Sequence, residues 1–231
     1  REDHFTPAAG DDRDTWSGLA QTFLEGVGSV RARPVLLLML VVTLVFGLFS
    51  EGLDRLFTPL LIESFQFPPL GSMDTVIWWG VIAAVGNLAG LGATTLARQS
   101  LDLTRFKTLT GVLAGCLLGI SLLVLLIANL SSFYLVLVCF WLVGALRSAY
   151  DPLMSAWLNG LFPESNRATL FSLFGQADAV GQTVGGPVVG LLARQFGIGF
   201  GLSVAAFLLL PAIPVFRRIA ILLNRQGGVH D

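Results

Sequence analysis

Two aspartates and an arginine sit inside stretches that are otherwise apolar. Arg147 and Asp151 lie in FYLVLVCFWLVGALRSAYDPLMSAWL, and Asp178 lies in ATLFSLFGQADAVGQTVGGPVVGLLA. An ionisable group in hydrocarbon costs at least ~2.5–3.5 kcal/mol, so such groups usually mark paths for ions, protons or substrates. Burial penalises the charged form of a carboxylate, which suits a group that takes up and releases a proton. Arg147 and Asp151 are four residues apart and share a helical face, where each is expected to neutralise the other in part. Asp178 has no cation in its own stretch. Gln182 lies one turn on, and Gly175 and Gly185 continue that small, polar stripe. Arg147 of the neighbouring stretch is an alternative partner for Asp178. Asp178, Asp151 and Arg147 are therefore the proton-coupling candidates. The competing reading is a set of structurally compensated charges.

Other polar and aromatic groups fall at similar depth. Asn87, Gln176 and Gln182 offer hydrogen bonds, and Trp141, Tyr150, Phe171 and Phe174 offer walls for an apolar pocket. These seven are the substrate-binding candidates. The segment SEGLDRLFTPLL places Glu51 and Arg55 at i, i+4 with Asp54 beside them. At ~1.5 Å per residue, Glu51 lies about 25 Å along a helix that starts at Pro34. A gate and a plain interfacial salt bridge are both open there. Pro187, flanked by glycines in GQTVGGPVVG, removes a helical hydrogen bond and is either a hinge or a static kink. Pro152 directly follows Asp151 and is expected to free a backbone carbonyl near the pair.

The elements that must position these groups are membrane spans. The chain has 231 residues, of which 54% are hydrophobic and only 13% charged. Soluble domains carry about 25% charged residues. Six apolar segments each approach the ~20 residues needed to cross a bilayer. They run about 34–60, 75–98, 107–129, 133–158, 168–193 and 199–219. Residues 1–14 are a polar linker and residues 221–231 a tail. In residues 15–33, Trp16, Leu19, Phe23, Leu24, Val27 and Val30 recur at helical spacing opposite Gln21, Glu25 and Ser29. That pattern suits an amphipathic helix in the membrane interface or a linker helix.

Arg31, Arg33, Arg98, Arg105, Lys107, Arg167, Arg217, Arg218 and Arg225 collect on one side of these spans, and Arg194 and Arg55 on the other. The positive-inside rule makes both termini cytoplasmic in a multi-pass cell-membrane protein. Trp78, Trp79, Phe133 and Tyr134 would then belong to the outer aromatic belt. Glycines at 111, 115 and 119, at 86 and 90, and at 181, 185, 186 and 190 are expected mainly to let helices pack closely.

Several function classes are disfavoured. Net charge is −1, so nucleic acid is not an expected partner. His4 and His230 lie at the ends, and Cys116 and Cys139 lack metal-ligand spacing, so no metal site, disulfide or histidine triad is expected. No GxxxxGK[ST] is present and no cofactor is implied. A membrane enzyme would need a nucleophile with a base, or a metal set, at membrane depth, and none is evident.

Taken together, six spans, short loops and a preceding amphipathic helix resemble the C-terminal half of a major facilitator superfamily transporter. PESNRATLFSLFGQADAVGQTVGGPVVGLLA is similar to the loop and eleventh helix of bacterial drug–proton antiporters of that family. SEGLDRL resembles the seventh helix of macrolide-efflux-like members. The family's Gly-x-x-x-Asp-Arg-x-Gly-Arg-Arg loop is only faintly matched after the second span, where Leu96 takes the acidic position counted from Gly92. The resemblance implies an all-α membrane fold of six transmembrane helices, arranged as two three-helix inverted repeats. It further implies a second, N-terminal six-helix half as partner, in the same chain or a separate one, with substrate bound between halves. The tail before residue 15 is similar to the loop that joins such halves. The implied activity is proton-coupled efflux of small apolar or amphipathic compounds across the lipid bilayer. A proton-coupled uptake symporter uses the same parts, and a non-transporting structural or sensory membrane protein is the alternative of another class.

Overall fold

The computed structural model describes residues 27–28, 30–69, 74–100 and 106–227. Among them are seven α-helices and one 3-10 turn. They are α1 (Pro34–Ser64), α2 (Ile77–Ser100), α3 (Phe106–Asn129), α4 (Phe133–Leu161), the turn Glu164–Asn166, α5 (Arg167–Phe196), α6 (Ile198–Leu209) and α7 (Ala212–Gly227). Pro34 opens α1 after an extended Arg33, where its missing N–H costs nothing. Gly197 closes α5 at φ 98, a left-handed geometry that glycine adopts without a Cβ penalty, and α6 follows at once.

The expected spans and the observed helices coincide within a few residues for the first five. The sixth differs. It is divided at Leu210–Pro211 into α6 and α7, because Pro211 cannot donate the next helical bond. The helix then continues to Gly227, so the first part of the expected tail, 221–227, is helical. Most of the amphipathic segment 15–33, and the linker 1–14, lie outside the described residues.

Five segments are long and apolar enough to cross a membrane: Pro34–Ser64, Ile77–Ser100, Thr108–Asn129, Phe133–Leu161 and Ile198–Leu223. The last runs through the break at 210–211. α5 has 30 residues, about 45 Å of helix, but is not among the five. Its glycines, Gln176, Asp178, Gln182 and Thr183 dilute its apolar character. Large apolar side chains face outward along the other helices, Leu88, Leu91, Leu135 and Phe207 among them. That outer surface suits lipid, and a helix satisfies its own backbone there.

Packing is uneven. α1 and α5 pack along their lengths, as do α2 with α4 and α3 with both α4 and α6. The α1–α5 contact is made by glycines facing backbone. A Cβ on Gly181 would meet the Leu44 carbonyl and come within 2.9 Å of the Leu48 nitrogen. One on Gly185 would strike the Leu48 carbonyl, and one on Gly47 the Asp178 carbonyl. Here the expected role of glycine holds. Gly111 and Gly115 of α3 do not follow it: a Cβ on either meets nothing within 4 Å. Only Gly119 of that stripe touches a neighbour, Leu146.

Pro152 leaves the Ser148 carbonyl without its helical donor. The Thr94 hydroxyl of α2 supplies one at 2.9 Å, and Gly90 makes room for Ser148 beside it. α4 is thus stitched to α2 beside Pro152. Ser121 similarly donates to the Ala206 carbonyl at 2.9 Å, fixing α3 against α6.

Candidate functional site

α1 and α4 scarcely approach through their backbones. They meet instead through long side chains. Phe57 stacks on Phe140 with centroids 3.4 Å apart, and Phe46 stacks on Tyr150 at 4.8 Å. Between these two stacks, Arg147 donates both guanidinium nitrogens to Asp54, at 2.6 and 3.0 Å. The expected partial neutralisation between Arg147 and Asp151 acts only through space, and the direct ion pair is made with Asp54. The i, i+4 spacing puts both on one face, but the planar guanidinium takes the carboxylate that offers two parallel hydrogen bonds. Arg147 still interacts electrostatically with Asp151 and Asp178.

Below that fork, α1, α4 and α5 line an open cavity of about 260 Å³, in which Asp151 is exposed and Asp178 half-buried. Asp151 and Asp178 both line it, with Thr43, Phe46, Tyr150, Met154 and Ser155. Counting ~1.5 Å per residue, Thr43, Asp151 and Asp178 all lie about 15 Å from the helix ends marked by Pro34, Leu161 and Arg167. Three helices therefore bring these groups to one level. Gln182 donates from Nε2 to Oδ2 of Asp178 at 2.8 Å. Gly47 lets α1 come against Asp178, whose Oδ1 would lie 2.9 Å from a Cβ placed there. Neither Asp151 nor Asp178 forms an ion pair among the described residues. The hydroxyls of Tyr150 and Thr43 have no hydrogen-bond partner among the described residues.

The expected gating residues form a second group. Arg55 Nε donates to Glu51 Oε1 at 2.6 Å. The pair lies over Gly186, whose Cβ would come within 2.8 Å of Arg55 Nε, and Pro187 follows on α5. Asp54, expected beside this pair, belongs to the fork with Arg147.

The substrate-binding candidates disperse. Tyr150 lines the central cavity and Gln182 braces Asp178. Asn87 lines a different hollow of about 380 Å³, between α1, α2 and α4, with Phe57, Trp79 and Phe140. Trp141 commits its indole N–H to the Ile82 carbonyl at 3.0 Å and joins α2 to α4. Phe171 and Phe174 pack on Phe162 at 4.9 and 5.3 Å, near the α4–α5 turn. Gln176 is exposed on α5. Trp78, Phe133 and Tyr134 do cluster, and Trp78 holds the Pro68 carbonyl at 2.8 Å.

The residues not anticipated are Thr43, Phe46, Gly47, Met154, Ser155 and Thr94. Two had a signal. Thr43 is the lone polar residue of PVLLLMLVVTLVFGLF, and Ser155 continues the Arg147–Asp151 spacing. Among the described residues, no group of three or more His, Cys, Asp or Glu could hold a metal ion.

The family model of the Major Facilitator Superfamily matches residues 103–225, more than half of the chain. Over 70 residues the chain is 36% identical to a Bacillus subtilis (strain 168) protein described as "Uncharacterized MFS-type transporter YxaM". That match covers 30% of this chain and 18% of the relative. No solved structure matches. A long helical chain with five segments suited to a bilayer, charges gathered at its centre and this family match lead to one assignment: the chain belongs to the major facilitator superfamily of membrane transporters.

Proposed function

We propose that this chain is the C-terminal six-span half of a proton-coupled secondary transporter that exports small apolar or amphipathic compounds. The observation that carries the reading is the meeting of Asp151 and Asp178 in one cavity with no ion pair to either among the described residues. A carboxylate on a small, polar helix face in a bilayer is costly, and a transporter uses that cost to bind and release a proton. Asp178 is the proton carrier in this reading, with Asp151 beside it. Arg147, held by Asp54, biases both through space. Protonation of Asp178 then shifts the balance between the two access states, since a ligand moves an equilibrium by its difference in affinity for them.

In the same reading α5 is the fifth of six spans, despite its low apolar content, because it packs on α1 along one face and turns Val180, Val184, Val188 and Leu191 outward. The spans form two inverted repeats of three. Both termini are cytoplasmic in the cell membrane, the segment 15–33 lies in the interface, and an N-terminal six-helix half faces the cavity.

The test uses the full-length protein in proteoliposomes under an imposed proton gradient. Asp178→Asn is expected to abolish gradient-driven movement of substrate while leaving exchange without a gradient in place. Unchanged gradient-driven transport by that variant removes Asp178 from the coupling role. Movement of substrate with the proton rather than against it makes the protein a symporter.

A further inference from the structure

The central cavity carries more than two carboxylates. The cation that acts on both carboxylates, Arg147, is itself committed to Asp54. With Asp151 and Asp178 ionised, the lining therefore carries more negative charge than Arg147 offsets. Tyr150 is 3% exposed, lines the cavity, and its hydroxyl has no partner among the described residues. The Thr43 hydroxyl on the facing helix is in the same condition. Buried hydroxyls normally find partners, so two of them at one cavity point to a guest that supplies hydrogen bonds. The Phe46–Tyr150 stack adds an apolar aromatic wall beside them.

We propose that this cavity binds the primary or secondary ammonium group of an organic amine. The inference rests on the transporter reading above and names the substrate class for the same cavity. Asp151 and Asp178 supply the charge. The hydroxyls of Tyr150 and Thr43 accept N–H hydrogens of the ammonium, and the Phe46–Tyr150 wall takes the adjoining carbons. A quaternary ammonium has the charge but no N–H to give. An alcohol has a donor but no charge. At about 260 Å³ the cavity falls just below the ~300–1,000 Å³ of pockets that enclose drug-sized ligands. It therefore takes the ammonium end of a guest, and a longer apolar part extends beyond it.

The experiment is calorimetric titration of the purified full-length protein with phenethylammonium, its N,N,N-trimethyl counterpart and 2-phenylethanol. Phenethylammonium is expected to bind about tenfold more tightly than the trimethyl compound, and 2-phenylethanol not measurably. Tyr150→Phe and Thr43→Val keep the ring stack and the side-chain volume. Each is expected to weaken phenethylammonium about fivefold, the fold-change of one ordinary hydrogen bond, and to leave the trimethyl compound within about twofold. Asp151→Asn weakens both cations. Equal affinity for all three probes, or no loss for phenethylammonium in the hydroxyl variants, overturns the inference. Proton-driven transport of other compounds by a preparation that does not bind phenethylammonium overturns it too, and leaves the transporter reading standing. Binding with this selectivity but no transport does the reverse.

Discussion

At the scale of residues, the central fact is the choice Arg147 makes. Its sequence neighbour Asp151 lies one turn away, yet the guanidinium reaches across to Asp54 because that carboxylate meets it with two bonds. The fork is partly exposed, Asp54 by half, so solvent screens it and it contributes about 1 kcal/mol or less. Asp54→Asn and Arg147→Gln are each expected to lower the Tm of the purified protein by a few degrees at most. The double variant should lose less than the sum of the two. Strict additivity in that cycle would show that the fork is not coupled. The pairing was not legible in the sequence, because it joins residues 93 apart on different helices. What was legible was the isolation of Asp178. No cation shares its helix face, and in the fold its close polar neighbour is Gln182, as the spacing indicated.

At the scale of elements, glycine has opposite meanings on two helices. On α5, Gly181 and Gly185 meet the backbone of α1, which cannot move aside as a side chain can. Gly181→Ala is expected to force α1 and α5 apart, at about 1–3 kcal/mol, and to displace Asp178 from Thr43. Gly111→Ala and Gly115→Ala on α3 meet open space and are expected to be neutral or slightly stabilising, since alanine is the better helix former by roughly 0.5–1 kcal/mol. Thermal unfolding of the three variants checks this, and equal behaviour of all three would refute it. The GxxxG spacing is the same on both helices, so periodicity alone did not separate them. Thr94 is a second case. Pro152 announced a freed carbonyl, but only packing showed that α2 supplies its donor. Thr94→Val is expected to destabilise by about 1–3 kcal/mol, because the Ser148 carbonyl is then left without a donor.

At the scale of the whole molecule, the loops at the two faces differ in charge, and the proposed topology follows from that difference. A cysteine at Ser131, in the α3–α4 loop, is expected to react with a membrane-impermeant maleimide added to intact cells. One at Glu164, in the α4–α5 turn, is expected to react only after the membrane is opened. The reverse pattern would invert the topology. The sequence by itself determined the class of this protein and the position of its first five long helices, because hydrocarbon tolerates only long apolar segments with satisfied backbones. It also marked where a functional site is expected, since charge in such segments is costly. It did not determine which charges meet. Only the tertiary structure placed Arg147 on Asp54, gathered Asp151, Asp178, Thr43 and Tyr150 around one cavity, and sent Asn87, Trp141 and Phe171 elsewhere. The physical reason is that spacing along a helix fixes a face. The partner of that face is set by how closely two helices approach, and here glycine against backbone decides that between α1 and α5.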